Sequence, residues 1–279
     1  TGTENTAVGK SALNANTTGG YSTAIGSTAL AAQTTGNGNV AVGFASGLAL
    51  TTGDANVAVG TQALNANTTA DNNTAVGYQA AYSNTTGAAS VAVGYQAGFA
   101  NTTGNYMTVL GVEALKSNTT GDNNVAIGHT ALTANTTGGD NVSVGRLSLS
   151  SNTTASNNTA MGHGALRFNT SGTAGTGLGR SALQTNTTGD YNTAVGYQAL
   201  LSNTTGTNNV AFGAFALDAN TTAGSNTAIG RSSLGTNTTG NSNVALGYQA
   251  LFANTTASNS TAVGYQDGYS NTSGNVQAF

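Results

Sequence analysis

The sequence contains no cysteine, no proline and no tryptophan, and only 5% of its 279 residues are charged. Each shortage removes a class of protein. Without cysteine there are no disulfides and no thiolate metal sites. An ordinary globular domain carries roughly 25% charged residues, so a conventional charged surface over a mixed core is not the expectation. A disordered chain fits no better, because such chains combine high net charge with proline, glutamate and lysine. The net charge is −3, too small to mark a nucleic-acid partner or attraction to a membrane surface. No apolar run approaches the roughly 20 residues of a membrane span, so this segment is not expected to insert.

What the sequence has instead is glycine, 40 residues of it, together with alanine, asparagine and threonine in strict order. Take the glycine that closes each Ala-Val-Gly-like triplet: Gly9, Gly26, Gly43, Gly60, Gly77, Gly94 and onward to Gly264. Every interval is seventeen residues, with sixteen copies and no insertion or deletion. Surface loops tolerate changes of length. A period this constant means that each residue sits over its equivalent in the next copy. Seventeen residues is too short for a helix-turn-helix repeat. It suits one solenoid turn of short strands and tight corners. The expected fold is therefore all-β: a β-solenoid, or β-roll, of sixteen 17-residue coils with parallel stacked strands. It is read as one continuous array over residues 1–279 with no separate domains. At about 4.7–4.9 Å per coil the array would be roughly 77 Å long.

Two strands are expected in each coil. The first is Asn-[Thr/Val]-Ala-Val, as in Asn192–Val195, where β-branched residues alternate with small ones. The residue before the glycine is apolar in all sixteen copies, including Val8, Ile25, Leu110, Met161 and Phe212. Both faces of this strand are thus apolar and expected to be buried, one of them by the opposite strand or a neighbouring chain. The second strand runs through x-Ala-Leu, as in Gln198-Ala199-Leu200. Gly47, Ala81, Gly98 and Gly268 interrupt its leucine column, and each is followed by a large apolar residue, Leu48, Tyr82, Phe99 or Tyr269. Close packing suggests that the neighbour fills the vacated space.

The corner is Asn-Thr-Thr-Gly. Its first Thr is present in every copy, and Asn precedes it in all but the coils of Gln33 and Leu50. Stacked Asn and Thr can bond along the array, so Asn16, Thr17, Asn67, Thr68, Asn118, Thr119, Asn203 and Thr204 are read as members of a structural corner ladder. The corner Asn also sit in glycosylation sequons. Glycans on successive coils would stand under about 5 Å apart, and an inward Asn ladder is the preferred reading. The chain opens at Thr1-Gly2 inside a corner and closes at Ala278-Phe279 inside a strand, with no cap. This suggests end-to-end stacking or a longer array, because open coils expose unpaired edges.

Asn5-Thr6-Ala7-Val8-Gly9, Asn39-Val40-Ala41-Val42-Gly43 and Asn124-Val125-Ala126-Ile127-Gly128 resemble the head repeat of trimeric autotransporter adhesins and related repeats of phage tail fibres. The resemblance covers the whole chain, although the adhesin repeat is shorter. It implies a left-handed β-roll, commonly homotrimeric, on a cell or virion surface. The extra length leaves open a wider coil that fills its own core and stands as a single-chain filament.

Chemistry-bearing residues are few. Two His, two Glu and seven Asp are spread over the sixteen coils, and converging acid, base and nucleophile groups are not in view. A non-enzymatic protein without catalytic, metal or cofactor residues is expected. Asp54, Asp71, Asp122 and Asp190 share a corner column, without the Gly-Gly-x-Gly-x-Asp pattern of calcium solenoids. The residue after the repeat glycine forms the one candidate binding row. His129, Arg146, His163 and Arg180 occupy it in consecutive coils, and Tyr78, Tyr95, Tyr197, Tyr248 and Tyr265 elsewhere. Basic residues there could hold acidic glycans, and Tyr could stack on sugars or shield the sheet. The function expected is an extracellular structural fibre, filament or stalk that self-associates end to end or as a homotrimer. The alternative is a surface adhesin or tail-fibre module that binds glycans. Thr columns also suit ice binding, but adjacent corner Thr should not share one flat face.

Overall fold

The computed structural model describes residues 2–274. The ends named above, Thr1 and Ala278-Phe279, lie outside them. Sixteen parallel strands of three residues recur at the 17-residue spacing of a β-solenoid, from Thr6–Val8 to Thr261–Val263. There is no helix among the described residues. The chain divides into two compact units, Thr1–Asp140 and Asn141–Phe279. In the first, eight strands pair in sequence order, from Thr6–Val8 against Thr23–Ile25 to Thr108–Leu110 against Val125–Ile127. In the second, eight more pair likewise, from Val142–Val144 to Thr261–Val263. Equivalent residues lie side by side: Thr193 faces Val210, Ala194 faces Ala211, and Val195 faces Phe212.

The repeat glycine holds this stacking. Gly196 has φ 134°, and a Cβ there would lie 2.7 Å from the backbone of Gly213 in the next coil. Both the left-handed angle and the close approach require glycine.

The second expected strand does not form. Gln198 and Leu200 have φ of 56° and 51°, and the same two positions are left-handed in coil after coil. The physical reason is the direction of two neighbouring side chains. Ala199 and Leu200 are both fully buried, whereas successive residues of a strand point to opposite faces. Turning both inward forces the backbone out of the β region. Left-handed backbone costs a non-glycine residue roughly 1–2 kcal/mol, which burial of a Leu side chain, about 1.5–3 kcal/mol, offsets. The backbone groups remain paired: Leu200 N donates to Ala216 O at 2.9 Å, Gln198 N to Arg180 O at 3.0 Å and Thr204 N to Thr221 O at 2.8 Å.

Nor is the first strand buried on both faces. Its central Ala is enclosed, as at Ala24, Ala41 and Ala194, but its flanking residues point outward and are half-buried or exposed in the single chain. Val8 is 57% exposed and Phe212 56%. The interior therefore holds one Leu and two Ala columns, with asparagine for much of the remainder.

The gaps in the Leu column are not filled as expected. Tyr82 and Phe99 stand outside the coil, half-buried, stacked on each other with centroids 5.2 Å apart. Tyr269 stacks on Phe252 in the same way at 5.3 Å. In the coil of Gly47 the missing Leu is supplied by Leu50, which replaces the corner Asn and is 1% exposed. Beside Ala81 and Gly98 the space is taken by buried Met107 and Val109, leaving a cavity of about 10 Å³. The residue after the gap points outward, so it cannot reach the core that the gap opens.

Candidate functional surfaces

The corner Asn face inward and form a hydrogen-bonded column. In the second unit Asn169 Nδ2 donates to Asn152 Oδ1, Asn186 to Asn169, Asn203 to Asn186 and Asn220 to Asn203, at 2.8–3.0 Å. In the first unit Asn101, Asn118 and Asn135 each donate to the preceding Asn. The column is interrupted near the coils of Gln33 and Leu50. Gln33 turns its amide to Gly36 O and Ser22 Oγ, and Asn16 Oδ1 is left without a partner. Asn67 bonds only within its own corner, through both backbone groups of Ala70. A second Asn, just before the strand, meets the corner from the other side. Gly206 O accepts Asn192 Nδ2 at 2.6 Å and Asn203 Nδ2 at 3.0 Å. Two amides thus pin one inward carbonyl and close the coil. With the corner Asn from Asn67 to Asn254 buried, their sequon nitrogens offer no access for a glycan in the folded protein.

The first corner Thr bonds along the stack. Thr17 Oγ1 donates to Thr34 O at 2.9 Å, Thr68 to Thr85 at 3.3 Å, Thr119 to Thr136 at 3.0 Å and Thr204 to Thr221 at 3.1 Å. The second Thr or Ser is exposed in every coil. The corner carboxylates act as backbone acceptors. Asp71 Oδ1 accepts Asp54 N at 2.7 Å, Asp122 Oδ1 accepts Asn105 N at 2.7 Å, and Asp190 Oδ1 accepts Thr173 N at 2.7 Å. Asn37 and Asn241 do the same for Gly20 and Gly224. A neutral amide serves as well as a carboxylate, so this column is a corner staple. Among the described residues no three His, Cys, Asp or Glu gather around a point that could hold a metal ion.

The row after the repeat glycine is on the surface. Tyr78 and Tyr95 stack with centroids 5.5 Å apart and planes 11° from parallel, and Tyr248 and Tyr265 at 5.4 Å and 10°. Tyr197 meets Phe215 edge-on and lies 5.9 Å under the Arg180 guanidinium. The next position adds an amide ladder: Gln79 Nε2 donates to Gln62 and Gln96 to Gln79, each at 2.9 Å. Each ring of a stacked pair covers one face of the other, so the Tyr pairs form short two-ring ladders on the surface. His129, Arg146, His163 and Arg180 are exposed. The last three belong to consecutive coils of the second unit, and His129 to the first.

The sequence showed the strand apolar on both faces but not which residues turn outward. The residue before the repeat glycine, Val, Ile, Leu, Met or Phe, forms an outward apolar column on each unit beside a column that mixes Thr and Val, with Ile25, Leu110, Met161 and Leu246 all exposed. The signal was present in the near-constant central Ala, because a small residue between two larger ones marks the side facing a narrow core. No helix of the described residues is long and apolar enough to cross a membrane. No protein-family model matches this chain, and comparison with curated proteins finds no similar sequence.

Proposed function

We propose that this chain is a non-enzymatic structural element, a length of fibre or stalk displayed outside the cell or on a virion, akin to the adhesin heads and tail-fibre repeats it resembles. One observation carries the reading. Nearly every recurring polar group of the coil is used to bond the next coil: backbone, corner Asn, first corner Thr and the corner Asp or Asn. Such a stack resists unfolding by summing nearest-neighbour terms, and its interior leaves no room for a reaction site. The protein self-associates. The occupant favoured for the apolar strand face is the same face of another copy, because two such faces carry the same coil spacing and can interdigitate along their length. End-to-end stacking is the other arrangement.

Electron cryomicroscopy of the assembled protein, with sedimentation of a Val195→Glu/Phe212→Glu variant, tests this. Rolls joined at their strand faces, and a variant that sediments as a folded monomer, are the expected results. Single rods stacked end to end, with the variant still assembling, would replace lateral with axial association. A protein that stays a monomer at every concentration would refute self-association.

A further inference from the structure

We propose that the basic column of the second unit, Arg146, His163 and Arg180, binds a linear polysaccharide carrying one carboxylate on each sugar ring. Cations are scarce in this chain, six Lys and Arg in a protein of net charge −3. Three of the six, Arg146, Arg167 and Arg180, fall in three consecutive coils, with His163 in the middle one. The fold does not ask for them. The same column accepts Ser27, Thr61, Val112 and Ala214 elsewhere. Nor are they there for ion pairing. The ion pair found among the described residues is Lys116 with Glu113. Arg146 and Arg180 stand two coils apart, roughly 10 Å, with His163 between them, so the column gains nothing from itself and is relieved by an anion.

Spacing selects the anion. The column offers one basic group per coil, every 4.7–4.9 Å or so, close to the advance of one pyranose ring along its chain. Each strand of a nucleic-acid duplex carries a charge about every 3.4 Å along the helix axis. An extended acidic peptide presents alternate side chains to one face, roughly 6.6 Å apart. Neither keeps register over three coils. The surroundings suit a sugar as well. Beyond His163 the next residue is Gly164, where a Cβ would meet only Gln184 Nε2, at 3.4 Å. The Arg180 guanidinium is held 5.9 Å over Tyr197, which lowers the cost of ordering it. The site needs only the second unit's coils.

The test is fluorescence anisotropy of a labelled oligogalacturonate titrated with the full chain at low salt. Saturable binding is expected, weakened roughly tenfold or more in Arg146→Ala/Arg180→Ala and nearly unchanged in Arg231→Ala, an isolated member of the same column. Thermal melts of each variant establish that it is folded, and Arg146→Lys/Arg180→Lys should retain binding. Four results would overturn the proposal: no binding of oligogalacturonate, equal binding of neutral dextran, an unchanged affinity in the folded double Ala variant, or tighter binding of poly-glutamate or single-stranded DNA.

Discussion

Replacing Asn203 by Leu should be strongly destabilising alone and largely tolerated together with Leu200→Gly. Asn203 Nδ2 donates to Asn186 Oδ1 and to Gly206 O, and its Oδ1 accepts Asn220 Nδ2. The change leaves Gly206 O with Asn192 and Asn220 with Ala223 O. Asn186 Oδ1, however, loses its donor, and an unsatisfied buried acceptor costs about 1–3 kcal/mol. A second Leu beside fully buried Leu200 adds overpacking of about 1–3 kcal/mol. Asn203→Leu should therefore cost about 2–6 kcal/mol. Leu200→Gly alone removes a buried Leu, at about 2–5 kcal/mol, with some return because position 200 is left-handed at φ 51°. The double variant recreates the Gly47/Leu50 coil that this chain already contains. Only the Asn186 loss should then remain, about 1–3 kcal/mol. The two changes should thus be non-additive by about 3 kcal/mol or more. Thermal unfolding by circular dichroism, paired with amide exchange at residues 193–206, measures the global and local cost. A double variant as unstable as the sum of the single ones would refute the idea that Leu50 replaces the missing Leu at Gly47.

Two further expectations concern single side chains. Thr204→Val should cost about 1 kcal/mol by removing the Oγ1 bond to Thr221 O, while Thr205→Val, at the neighbouring exposed hydroxyl, should stay within about 0.5 kcal/mol; equal melting shifts would count against the ladder. At Asp218, burial pushes the carboxyl above the usual carboxylate range, opposed by backbone N–H groups of Asp218 and Ala219. A raised folded-state pKa means that the folded protein holds the proton more tightly. Stability from this site is therefore present below the ordinary carboxylate value, about 3.9, and lost as pH rises through the folded value. Asp218→Asn should be more stable than the parent at pH 7, with the gap closing under acid, as read from paired melting curves.

Aromatic residues illustrate the difference between a column and a site. Tyr78 and Tyr95 belong to one column in the sequence, and a column of Tyr reads equally as a sugar platform or as a shield. Their separation of 5.5 Å with nearly parallel planes shows that each ring covers one face of its neighbour. The Arg of the same column have no such partners in one another, and the charge of Arg146 and Arg180 remains available to a ligand.

The invariant period by itself determined the coil length, the parallel in-register stacking and the identity of the columns, since residues one period apart must lie one above the other. It also marked the Asn-Thr-Thr-Gly corner, because constant polar residues at a bend have few uses other than bonding along the stack. A period does not say which way a side chain points. That depends on the sign of φ at Gln198 and Leu200, and neither residue type announces a left-handed backbone. Only the tertiary structure decided that Ala199 and Leu200 both turn inward and abolish the second strand. It also decided that the strand's larger residues turn outward around a narrow core, and that Leu50 rather than Leu48 fills the gap at Gly47. A coil only seventeen residues around encloses room for one Leu, two Ala and two Asn. Direction follows from that shortage of space, which becomes visible only once the chain has closed on itself.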